Sequence, residues 1–197
     1  RLLLEGNRTA GLAINGAGSN ADLSGLVVRS TEGEEATGAR GDGVVVFRAS
    51  ARLERAIVTG NRSAGVVALD SRLTMTDVAI LETRAEDCEP SCDDDSTGVA
   101  SLKALGPQTV VDAVRFRLSG SPETVCGLQL FLRAQVDFMT GLVERHDLGV
   151  CLQTPGGYDL RRLANDVAYI DSGRPPVEST DLPVPDLSDA FPPAPDP

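Results

Sequence analysis

Tryptophan is absent from this chain, and five phenylalanines with two tyrosines make up only 4% of it. A core built on large rings is therefore excluded, and packing falls to the plentiful Val, Leu, Ala and Gly. No apolar run approaches the ~20 residues that a membrane-spanning helix needs. No basic stripe with interleaved aromatics exists either, which removes nucleic acid from the expected partners. Charge is one-sided instead: 29 acidic residues against 18 basic ones give a net charge of −11. Fifteen of the acids crowd into residues 31–42, 86–95 and 174–197. The four cysteines fit two disulfides and an oxidising compartment, with four buried thiols as the alternative.

Two segments read almost alike, "EGNRTAGLAI" at 5–14 and "TGNRSAGVVA" at 59–68. The echo belongs to a longer pattern in which Gly is followed by alternating apolar positions. "GLAI" begins at Gly11, "GVVV" at Gly43, "GVVA" at Gly65, "GVAS" at Gly98, "GLQL" at Gly127 and "GVCL" at Gly149. The spacings are 32, 22, 33, 29 and 22, a base period of 22 with three insertions. A second apolar set follows at about +10, +13 and +15: Leu53, Ala56 and Val58, then Met75, Val78 and Ile80, then Val111, Val114 and Phe116. Alternation by two, carried by Val and Leu, signals strands, and no 3.6-residue stripe signals helical repeats. The expected fold is all-β, a single-stranded right-handed parallel β-helix of about seven coils. Residues 1–173 would form the rod, and the Pro- and Asp-rich 174–197 a tail, packed on it or acting as a linker.

With the period fixed, Asn7 and Asn61 fall at one repeated corner, where Asn suits a left-handed turn. The single histidine, His146 in "ERHDLG", lies at the same corner, so a turn role is expected before general-base work. The chain opens inside a repeat, which points to membership of a larger polypeptide. The insertions, near 30–42, 85–97 and 119–126, all precede a coil-starting Gly and should project from one edge.

The "GVxV" starts and the "GNRTAG" and "GNRSAG" corners resemble the pectin-lyase-like superfamily over residues 1–173. The nearest likeness is to secreted bacterial β-helix repeat proteins. That resemblance implies lyases, hydrolases and epimerases of acidic polysaccharides as relatives. The family's Asn-Thr-Asp, Asp-Asp, Gly-His-Gly, Arg-Ile-Lys and Asp-Pro-His-Asp motifs are all missing here. The reading is thus a non-catalytic binding or structural module, secreted or on a bacterial surface, with a polysaccharide or protein partner. A lyase or hydrolase of acidic glycans is the alternative.

Several residues carry specific expectations. Glu89, Asp93, Asp94 and Asp95 surround "CEPSC" and offer hard oxygen ligands for Ca²⁺, although a solvated acidic loop suits them as well; no other cofactor is expected. Cys88–Cys92 would close its own loop, and Cys126–Cys151 would staple neighbouring coils. Positions +2 and +4 after each Gly should face outward, yet they read Phe47, Leu69, Leu102 and Phe131 among others. A strand apolar on both faces needs cover on both, from the tail or from a partner.

Overall fold

A computed structural model describes residues 1–35, 40–85, 99–121, 124–154 and 158–172, together with the backbone of 177–179. The strands follow in order as β1 (Leu2–Glu5), β2 (Ala10–Asn15), β3 (Asn20–Ser24), β4 (Leu26–Arg29), β5 (Asp42–Phe47), β6 (Ser50–Thr59), β7 (Ala64–Leu69) and β8 (Arg72–Leu81). They continue with β9 (Ala100–Leu105), β10 (Val110–Ser119), β11 (Cys126–Phe131), β12 (Gln135–Glu144), β13 (Leu148–Gln153), β14 (Asn165–Ile170) and β15 (Val177–Ser179). A single 3-10 turn at Leu160–Leu163 interrupts them.

All pairing is parallel, and the strands divide into two sheets. The long sheet runs β1-β4-β6-β8-β10-β12-β14 with β3 also on β6, and the short sheet runs β15-β13-β11-β9-β7-β5-β2. The chain alternates between them, one strand of each per turn, so the fold is a parallel β-solenoid of about six turns. β15 lies within the 174–197 segment and pairs with β13 as the last rung of the short sheet.

Inside the rod, side chains stack in columns. Val44, Val66, Leu102, Leu128 and Val150 form one, and Leu53, Met75, Ala113 and Phe138 another. All nine are at most 1% exposed. The ten-residue strands bend at Arg55, Asp77, Arg115 and Thr140, each with φ between 51° and 55°. One left-handed residue inserts an extra position and shifts the in-out alternation by one. Leu53 and Ala56 both point inward, as do Met75 and Val78. That bend is the physical origin of the +10, +13, +15 spacing.

Two sequence readings need correction. The register Val66↔Leu102 makes Ser101, not Gly98, the equivalent of Gly65. Leu102 therefore points into the core, fully buried, and does not belong to the outward face. The outward positions of β9 are Lys103 and Leu105. The turn before β10 is also two residues longer than the one before β8, 106–109 against 70–71. Its inward set is consequently Ala113, Phe116 and Leu118, in register with Met75, Val78 and Ile80, while Val114 pairs with Thr76.

The Gly-starting positions are narrow places in the cross-section. A Cβ on Gly43 would come within 2.5 Å of both Gly65 O and Val58 Cγ1, and one on Gly127 within 2.6 Å of Gly149 O and Val143 Cγ1. The glycines mark where a short-sheet strand passes tight against the end of a long-sheet strand.

Candidate functional site

The repeated corner continues the long sheet. The N–H groups of Gly6, Ser30, Gly60, Glu82, Gly120 and Arg145 donate to the carbonyls of Arg29, Thr59, Leu81, Ser119, Glu144 and Ile170. Gly6 and Gly60 share φ of 63°, and Thr9 and Ser63 close their corners at 69° and 62°. The matched "GNR" segments are thus one turn built twice. The next residue in each corner makes a polar column: Asn7, Thr31, Asn61, Thr83, Ser121 and His146. Asn61 Oδ1 accepts from the Thr31 N–H at 3.0 Å, which fastens one coil to the next.

His146 sits where the corner rule put it. The residue is 3% exposed, and its Nε2 lies 2.9 Å from Ser101 Oγ, itself fully buried. Burial, reinforced by the Arg145 charge, pushes its pKa down to about 4. A neutral, enclosed imidazole is a packing element, and Ser101 beside it is buried as deeply.

Charged groups on the long sheet's outer face are tied to each other across rungs. Arg115 grips Asp77 through Nε–Oδ1 at 2.6 Å and Nη2–Oδ2 at 2.8 Å. Arg117 Nε meets Glu144 at 2.9 Å, and Arg162, from the 3-10 turn, holds Asp137 through two nitrogens. These hydrogen bonds hold the Asp77, Asp137 and Glu144 carboxyls below the usual carboxylate range. None of the three is a proton donor at neutral pH. Beside them lies a shallow open depression of about 530 Å³, lined by Arg115, Thr140, Gly141, Leu142, Asp166 and Ala168. It offers hydrogen bonds and an apolar floor. Among the described residues, no group of three His, Cys, Asp or Glu is placed to hold a metal.

On the other side of the rod, Cys126 and Cys151 form a disulfide that joins β11 to β13. It lies on the outward face of the short sheet, packed with Ala100. Cys88, Cys92, Glu89, Asp93, Asp94 and Asp95 lie outside the described residues. Phe47, Leu69 and Phe131 do share one outward column with Leu105, and they cluster with Val45, Val67 and Ala64. This cluster is separate from the core and backs onto it across the short sheet. Gln129 faces outward as its place two residues after Gly127 predicts, but Lys103, its neighbour in register, went unread in the sequence. Placing the coil start at Ser101 within "ASLKAL" would have found it.

No protein-family model matches the chain, and neither the curated proteins nor the solved structures give a match. No helix among the described residues is long and apolar enough to cross a membrane.

Proposed function

We propose that this chain is a non-catalytic binding and structural module of a secreted or cell-surface bacterial protein, of the pectin-lyase-like kind. The observation that carries the reading is how its ionisable groups are used. Asp77, Asp137 and Glu144 are held as carboxylates by arginines on neighbouring rungs, and the one histidine is enclosed and neutral. Glycoside cleavage calls for a carboxylic acid or basic group free to move a proton. Here the same residue types clamp coil to coil. The Cys126–Cys151 bond supports an oxidising location.

The depression beside Arg115 and Thr140 is the place where a polysaccharide or protein partner would rest. A glycan-array screen, run with reducing-end and unsaturated-product assays on acidic polysaccharides, tests the reading. Binding without product supports it. Product formation refutes it and makes the chain a lyase or hydrolase of acidic glycans.

A further inference from the structure

The outward face of the short sheet is dry. Val45, Val67, Leu69, Leu105 and Phe131 point away from the core, yet none is more than 8% exposed. Side chains on the open face of a single sheet keep much of their surface in water, so this burial requires a layer above them. Among the described elements, the main neighbours of β5, β7, β9 and β11 are their partners in the short sheet and the long-sheet strands of the rod, which lie on the opposite side from this face.

Outside the described stretches, residues 36–39, 86–98, 122–123, 155–157 and 173–176 contain no Leu, Ile, Val, Met or Phe at all. Only 180–197 has them: Leu182, Val184, Leu187 and Phe191. We propose that residues 180–197 lie extended across the outward face of the short sheet and seat these four side chains against Phe47, Leu69, Leu105 and Phe131.

Three features fit. First, β15 delivers the chain to the right spot. Val177, Glu178 and Ser179 pair with Val150, Cys151 and Leu152, so β15 ends one residue short of the level of Gln153. Gln153 heads the column Phe131, Leu105, Leu69, Phe47. Second, the reach is sufficient. Eighteen residues in a proline-rich extended form span about 55 Å, whereas the strands from β13 to β5 cover about 20 Å. Third, the chemistry matches. Lys103, 5% exposed, donates to Ser63 Oγ at 3.2 Å, and an ammonium that deep requires anionic oxygen nearby. The segment brings Asp181, Asp186 and Asp189 between its apolar residues. Gln129, fully buried on the same face with neither amide atom hydrogen-bonded, is positioned to meet the backbone of an extended chain. Proline at every few positions suits such a segment, because it lies on a sheet face and joins no ladder.

The test uses a chain ending at Ser179, which keeps β15, together with a synthetic peptide of residues 180–197. The shortened chain should bind a hydrophobic dye severalfold more strongly than the full chain, and added peptide should reverse this in a saturable way. The full chain should ignore the peptide. A second variant, full-length Leu187→Asp with Phe191→Asp, should show the same dye binding even where the shortened chain folds poorly. A shortened chain that stays dye-silent and monomeric overturns the proposal. So does dye binding that the peptide leaves unchanged but that replacement of 86–98 by glycine and serine reproduces in the full chain.

Discussion

Because the chain has only one histidine, His146 gives an unusually clean test of the corner column. In the folded protein its pKa falls from an ordinary 6.5 to about 4, through burial and the neighbouring Arg145, with Glu144 opposing weakly. The unfolded chain therefore holds more protons than the folded one between those values. Stability contributed by the neutral ring is complete above pH 6.5 and drains away as pH falls towards 4. At about 1.4 kcal/mol per pH unit, the loss amounts to about 3 kcal/mol. The lowered carboxylates act in the same direction, but their loss begins only at their ordinary values of 3.8 for Asp and 4.5 for Glu, so they add to the slope only at the acid end of this window. Urea melts at pH 7, 6, 5 and 4.5 read the slope directly, and the imidazole proton resonances report the titration itself. His146→Asn, the residue the same column uses at positions 7 and 61, should flatten the slope between pH 6.5 and 4.5. A ring that titrates near 6.5 in the folded protein, or an unchanged slope in the variant, would refute the account of this corner.

Four further outcomes are expected. Cys126→Ala with Cys151→Ala opens a bond closing 25 residues. The loop-entropy relation gives about 3.5 kcal/mol for that length, and scanning calorimetry should find a melting temperature lower by roughly 7–14 °C. Gly43→Val should destabilise by more than ~2 kcal/mol in denaturant melts, because the new side chain meets the Gly65 carbonyl, which is backbone and cannot yield. Leu102→Ala should cost about 2–5 kcal/mol whether or not residues 180–197 are present, as befits a core side chain. Leu105→Ala should cost less in the chain ending at Ser179 than in the full chain, and equal costs would place nothing over it.

The solenoid itself was legible in the sequence because its cause is local and repeats. Gly at most of the narrow points, Val and Leu at period two, and the matched "GNR" corners recur as backbone geometry recurs, and each copy reinforces the reading of the others. The Cys126–Cys151 bond followed from the same period, since 25 residues is close to one turn. The polar corner likewise placed His146 correctly in the column of Asn61. What failed was register around the insertion at 86–98. There "GVAS" imitates a coil start three residues early, and only ladder pairing with β7 shows that Ser101 occupies the position of Gly65. A two-residue lengthening of the next turn then carried the error on to Val114. Such slips leave composition and alternation untouched while exchanging inside for outside, so a pattern alone cannot detect them.

Tertiary structure also decided what the charges do. Arg115 and Asp77 stand 38 residues apart, and Arg162 and Asp137 stand 25 apart. Their pairing exists only because successive coils stack at about 4.8 Å. In the sequence these residues could equally have been free catalytic groups. The fold is written in spacing, which the chain carries openly. The fate of each ionisable side chain depends on which residue lies one coil above it, and stacking alone settles that.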